Sequence, residues 1–125
     1  MKPVLQLALD FVDLHRALGV AREAARGGAE WIEVGTPLLK AEGLEAVRKL
    51  RAEFPHLTIV CDTKTMDAGR VEMEAAAKAG ANVATVLGAA PVATIRECLE
   101  AGLNNWIRFA VDLVNVADPA APCTV

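Results

Sequence analysis

The feature that most restricts how this chain folds is a recurrence of about 25 residues. Apolar runs of strand length begin near Val4, Trp31, Leu57, Asn82 and Trp106, at intervals of 27, 26, 25 and 24 residues. The runs "WIEV", "LTIVC" and "NVATVL" are short, largely apolar and repeatedly β-branched, as parallel strands covered on both faces are. Between them lie stretches with helical spacing. Asp13 is placed to cap a helix whose Leu14, Leu18 and Ala25 share a face, with Arg16, Glu23 and Arg26 off it. Leu44, Val47, Leu50 and Phe54 make a second stripe, with Arg48, Lys49 and Arg51 off it, and Val71, Ala75, Ala76 and Ala79 a third. Pro91 opens a fourth helix carrying Ile95 and Leu99, which Gly102 ends. The segments "ARGGAEWIEVG" and "AKAGANVATVLG" repeat the order helix end, Gly-Ala, strand, Gly. This makes Gly28 and Gly80 left-handed helix caps. Alternating strands and helices with short connections predict right-handed crossovers and a parallel sheet. A doubly wound, flavodoxin-like sheet is the alternative architecture, but the strand ends carry acids and not a glycine-rich phosphate loop.

Composition narrows the class. With 54% apolar residues and a net charge of -3, the chain reads as one globular unit without the basic surface that nucleic acid requires. No apolar run approaches the roughly 18 residues of a membrane span, and "MKPVLQLALD" reads as a first strand and not a signal peptide. Cys61, Cys98 and Cys123 are odd in number and lack metal spacing, which suits reduced thiols in a cytoplasmic protein. The domain is expected over residues 1–119. Residues 120–125, in a small and Pro-rich ending, are expected to be a disordered tail.

The chemistry gathers where the strands end. The first closes with Asp10 and the second carries Glu33. The third closes with Asp62, followed by Lys64 and Asp67, and the fifth closes with Asp112. In a parallel sheet these ends share one rim, the rim on which α/β folds place their sites. Some of these acids have plainer roles open to them. An acid after a strand often caps the next helix, although Asp13 is better placed for that than Asp10, and Asp67 can cap the third helix. Glu33 lies between apolar neighbours, so its charge must be paired or bind a cation. Asp112 stands in a similar context, with Asn115 near enough in sequence to share its polar site. His15 and His56 fall at the wrong end and are expected in solvent. Trp31 and Trp106 start strands and are expected to pack in the core or at the rim. Carboxylates crowded on one rim repel unless a cation joins them, and hard oxygen ligands favour Mg²⁺. A Schiff base at Lys64 would need a lowered amine pKa, whereas Asp62 and Asp67 beside it favour the ammonium. A metal and a fixed ammonium suit the stabilisation of enediolate charge beside a carbonyl.

The segments "LQLALD", "IEVGTPLLKAEG", "DTKTMDAG", "AAKAGANVATVLGAA" and "VDLVNVADP" together resemble the 3-hexulose-6-phosphate synthases of the orotidine-monophosphate decarboxylase superfamily, from about Leu5 to Pro119. The Asp-x-Lys-x-x-Asp motif, here Asp62, Lys64 and Asp67, marks that superfamily. The resemblance implies a TIM (β/α)8-type barrel, of which this chain carries about five parallel strands alternating with helices. It implies a Mg²⁺-dependent aldol condensation of formaldehyde with ribulose 5-phosphate. By motif, Glu33 and Asp62 would hold the metal, and Asp10 and Lys64 would contact substrate and developing charge. Asp67 would reach into a partner's site across a dimer interface, and Asp112 would make a polar contact with substrate. Strands six to eight, the family's histidine region and its phosphate-gripping loops have no counterpart in these residues. A homodimer or a complementing chain is therefore expected. A non-catalytic barrel fragment and a 3-keto-L-gulonate-6-phosphate decarboxylase-like carboxy-lyase stand as alternatives.

Overall fold

The computed structural model describes residues 3–118. Its five strands are β1 (Gln6–Leu9), β2 (Trp31–Val34), β3 (Thr58–Thr65), β4 (Val83–Leu87) and β5 (Arg108–Asp112). They form a single parallel sheet in the order β1-β2-β3-β4-β5. The helices are α1 (Leu14–Arg26), α2 (Thr36–Glu42), α3 (Glu45–Glu53), α4 (Gly69–Ala79) and α5 (Val92–Asn105). Sequential parallel strands joined through helices are the unit from which a (β/α) barrel is built, and the sheet is an open segment of such a barrel. The main core lies between sheet and helices, where Leu9, Ile32, Val34, Ile59, Cys61, Ala84 and Val86 meet Ala17, Ala21, Leu38, Leu50, Met73 and Ile95. The other face is the inner one. Register places Glu33, Val60, Val83 and Arg108 in one row across it. The Arg108 guanidinium lies 5.0 Å over the Trp31 ring, reaching across strands that stand about 14 Å apart at ordinary spacing.

Local sequence accounts for most helix ends. Asp13 caps α1 by accepting from the Arg16 amide at 2.6 Å. Gly28 and Gly80 both take positive φ, +97° and +101°, as their place before the Gly-Ala junctions predicts. Gly80 has a second reason to be glycine, because a Cβ there would stand 2.7 Å from Arg51 Cγ.

Several expectations are corrected. A separate helix, α2, precedes α3, with Pro37 in its first turn and Gly43 at φ +64° parting the two. The buried side of α4 is Gly69, Met73, Ala76 and Ala79, while Val71 is exposed. The helix turns this side inward because Gly69 admits α5 at close range. Leu99 is likewise exposed on α5. Gly102 does not end α5 but lies buried within it, where a Cβ would stand 2.8 Å from the Ile107 carbonyl oxygen. The helix stops instead at Trp106, which is left-handed at φ 57° and 96% exposed, so it is not core. Arg51, expected off the apolar stripe, is a structural clasp. It donates to the carbonyls of Gly80 at 2.8 Å, Phe54 at 3.2 Å, Pro55 at 3.1 Å and Leu57 at 3.0 Å, and also to Asn82 Oδ1. His15 and His56 are exposed, and Cys61 and Cys98 are buried free thiols. Cys123 and the expected tail lie outside the described residues. Among the described residues no helix is long and apolar enough to cross a membrane.

Candidate active site

The site is built around the end of β3. Asp62 is buried, with 6% of its surface exposed. Its Oδ2 accepts from the Thr36 hydroxyl and its Oδ1 from the Thr85 hydroxyl, both at 2.7 Å. The Lys64 ammonium stands 3.1 Å from Oδ2. Burial acts to raise the Asp62 pKa, but the hydrogen bonds from Thr36, Thr85 and Lys64 outweigh it and hold the group below the usual carboxylate range. β4 carries no acid at this rim, and its contribution is Thr85. That hydroxyl donates to Asp62 while accepting from the Lys64 amide at 2.9 Å.

Lys64 is paired twice. Its Nζ donates to Asp112 Oδ2 at 2.5 Å and to Asp62. The hydrogen bond to Asp112 is the larger cause of its raised pKa, burial opposes, and Asp62 adds to the rise. Asp112 is correspondingly lowered, by Lys64 first and then by the Val114 amide, 2.9 Å from Oδ1. The expectation that Asp67 helps hold the ammonium is corrected, because its second partner is Asp112 on β5. Asp67 is exposed. It also caps nothing, since Ala68 is the N-cap of α4 and that end has no side-chain cap. Asn115 is exposed at φ +58° and does not share the Asp112 carboxylate.

Glu33 faces the same rim from β2. Gln6 on β1 donates to its Oε2 at 2.5 Å. Burial raises the Glu33 pKa, the Gln6 bond opposes, and the negative charges of Asp62 and Asp10 raise it further. Asp10 itself is exposed, and its carboxylate lies close over Gly35. A Cβ at Gly35 would stand 2.0 Å from Asp10 Oδ1 and 2.9 Å from the Leu9 carbonyl oxygen. Gln6, Thr36, Thr85 and Gly35 are site residues that the reading of the sequence passed over. The only signal for them is position, in or just after a strand. Among the described residues, no group of three or more His, Cys, Asp or Glu side chains is arranged to hold a metal ion.

The opposite shifts set an expected pH response. Asp62 and Asp112 contribute stability above the ordinary carboxylate range, and that stability is lost as pH falls through their lowered values. Glu33 works the other way. The fold prefers it protonated, and that preference is lost as pH rises through its raised value. Glu33→Gln is therefore expected to raise the melting temperature at pH 7 by about 3 °C. The gain should shrink on acidification and vanish below the ordinary glutamate value of 4.5. Thermal unfolding across pH measures this, and a loss of stability at pH 7 would refute the assignment of Glu33 as a strained charge.

The chain is 40% identical over 114 residues to 3-hexulose-6-phosphate synthase of Bacillus subtilis (strain 168), covering 91% of this chain and 54% of that one. It is 40% identical over 116 residues to the synthase of Methylomonas aminofaciens, covering 93% and 55%. The crystal structure of 3-hexulose-6-phosphate synthase from Salmonella typhimurium matches with a TM-score of 0.91 at 36% identity, over 98% of this chain and 57% of that one. A 3-keto-L-gulonate-6-phosphate decarboxylase from Vibrio cholerae O1 biovar El Tor str. N16961 matches with a TM-score of 0.86 at 40% identity, over 89% and 51%. The chain thus spans about half the length of the relatives it matches. The family model of orotidine 5'-phosphate decarboxylase / HUMPS proteins matches residues 3–121, and the chain belongs to that family.

Proposed function

We propose that this chain carries the strand-end site of a 3-hexulose-6-phosphate synthase-type aldehyde-lyase, which joins formaldehyde to ribulose 5-phosphate. The observation that carries the reading is the Lys64 ammonium held between Asp62 and Asp112, beside Glu33 and Asp10. Ribulose 5-phosphate loses a proton from C1 to give an enediolate. The enediolate carbon bonds to the carbon of formaldehyde, and the aldehyde oxygen takes up a proton. Lys64, kept protonated by its two acids, offers fixed positive charge to the enediolate oxygens. Asp112 and Asp62 aim that ammonium, and Asp112 would also contact a substrate hydroxyl. Asp10, exposed on the rim, is placed to hydrogen-bond the sugar.

Glu33 and Asp62 would hold Mg²⁺. The donor set fits that ion, because a hydrated Mg²⁺ takes one or two carboxylates and needs no larger protein cage. The half-buried, like-charged surroundings of Glu33 also favour a cation there. When bound, the ion supplies Lewis-acid stabilisation of charge on the substrate oxygens. Exposed Asp67 would serve the site of a second copy in a homodimer. Among the described residues, β1 and β5 each have a single strand neighbour. A cavity of about 470 Å³ beside β5, lined by Leu99, Leu103, Trp106 and Phe109, supports pairing with another copy or a complementing chain. The free thiols Cys61 and Cys98 suit the cytoplasm.

The test is incubation with ribulose 5-phosphate, [¹³C]formaldehyde and Mg²⁺, read by NMR for the new carbon–carbon bond. Asp62→Asn should reduce product by about 10²-fold or more. Mg²⁺ should raise the melting temperature of the wild type and not that of Asp62→Asn. Mg²⁺ binding without product would leave a non-catalytic barrel module, and product unchanged in Asp62→Asn would overturn the site. The 40% identity to a 3-keto-L-gulonate-6-phosphate decarboxylase supports one second reading, a carboxy-lyase using the same rim. Release of CO₂ from that sugar acid would favour it.

A further inference from the structure

Beneath Lys64, on the far side of β3, runs a polar chain that the candidate site does not use. Lys64 has φ +46°, a left-handed backbone that lysine rarely adopts. The register between β3 and β4 slips between Cys61 and Thr65, so the turn sits in a bulge. Toward the site, the Lys64 amide donates to Thr85 Oγ1 at 2.9 Å. The neighbouring residues are tied as well. The Thr63 hydroxyl donates to the Thr85 carbonyl at 2.5 Å and lies 3.1 Å from the Thr65 hydroxyl. The Thr65 hydroxyl, 1% exposed, donates to Glu72 Oε2 on α4.

Glu72 makes no ion pair among the described residues. It borders a cavity of about 250 Å³ with Leu39, Gly43, Leu44, Thr63 and Ala75. Its charge reaches inward: burial is the main reason the Cys61 and Cys98 thiols are raised, and Glu72 adds to both. An ionised carboxylate only accepts hydrogen bonds. It therefore takes the Thr65 proton, tying the residue after Lys64 to α4, while Thr63 donates to the Thr85 carbonyl.

We propose that Glu72 is a positioning residue for Lys64: acting through Thr65, it clamps the β3 bulge and sets the left-handed turn that delivers the ammonium between Asp62 and Asp112. The consequence for turnover rests on the proposed aldol reading, whereas the conformational effect does not. Glu72→Leu removes the acceptor, Thr65→Val removes the hydroxyl at constant shape, and Glu72→Gln keeps an acceptor. NMR of the labelled chain reads the Lys64 HN–Hα coupling and Cα shift, together with amide exchange. The Ile59 amide, bonded to Asn82 Oδ1 at 2.9 Å, is the internal reference.

In Glu72→Leu and Thr65→Val, the Lys64 amide should exchange roughly tenfold faster relative to Ile59, and its coupling and shift should leave left-handed values. Glu72→Gln should restore both. In the aldol assay, the first two variants should lower kcat with KM little changed. A wild-type Lys64 signature in Glu72→Leu, or a loss of protection shared equally with Ile59, would overturn the proposal. If Glu72→Leu fails to fold, Thr65→Val carries the same test. A displaced Lys64 backbone with unaltered product formation supports the clamp and counts against the role given to Lys64 in the aldol reading.

Discussion

Lys64→Ala is expected to cut product formation by about 10²–10³-fold while costing only about 1 kcal/mol of stability. The two numbers separate because of where the ammonium sits. The Lys64 side chain is 39% exposed and Asp112 is 23% exposed, so solvent screens much of that pair's contribution to folding. Asp62, at 8%, keeps the Thr36 and Thr85 hydroxyls after the lysine is gone. What the variant removes is fixed positive charge at the point where an enediolate would form, and no hydroxyl replaces that. Lys64→Arg restores the charge but cannot place a compact ammonium between two carboxylates, so only partial recovery is expected. The raised pKa also argues against an amine nucleophile. Borohydride added with ribulose 5-phosphate should trap no adduct at Lys64. Parallel kinetics and denaturant melts measure the split, and a folded Lys64→Ala with wild-type turnover would remove Lys64 from the chemistry.

The largest effect on stability is expected at Gly69, the first residue of α4. A Cβ there would stand 2.5 Å from the Thr94 carbonyl oxygen, 3.0 Å from Glu97 Cβ and 3.1 Å from Cys98 Sγ. The nearest obstacle is backbone, so it cannot rotate away as a side chain would. Gly69→Ala must push α5 off α4 and is expected to cost about 1–3 kcal/mol, a fall in melting temperature on the order of 4–10 °C. Gly19 provides the control. It lies in α1 with nothing within 4 Å of a built Cβ, so Gly19→Ala should be neutral or stabilise by about 0.5–1 kcal/mol. Equal melting temperatures for Gly69→Ala and the wild type would mean that α4 and α5 are not packed as closely as described. Because α4 also carries Glu72, displacement at Gly69 should disturb the Lys64 turn as well.

Periodic signals in the sequence carry directly into the fold. Five apolar runs at nearly equal intervals became five parallel strands in chain order, although the first and last begin two residues later than expected, at Gln6 and Arg108. Helix faces rich in alanine carry less information. In α4 the stripe expected from spacing includes Val71 and Ala75, yet Met73 is buried and Val71 is exposed. Small residues barely distinguish one face from its neighbour, and close packing at Gly69 decided between them. Arg51 was misplaced for a related reason. A charge off an apolar stripe usually points to solvent, but here it meets five acceptors left over by a loop and a helix end.

The sequence alone determined the number of β/α units, their parallel direction and the rim on which Asp10, Glu33, Asp62 and Asp112 gather. These follow from hydrophobic period and from the geometry shared by all parallel strands. Only the tertiary structure decided which of those groups touch. Lys64 pairs with Asp112, 48 residues away, and Asp62 is held by Thr36 and Thr85, 26 and 23 residues away. Such partners depend on strand register and on a bulge in β3 that turns a lysine left-handed. A shift of one residue would send each side chain to the opposite face.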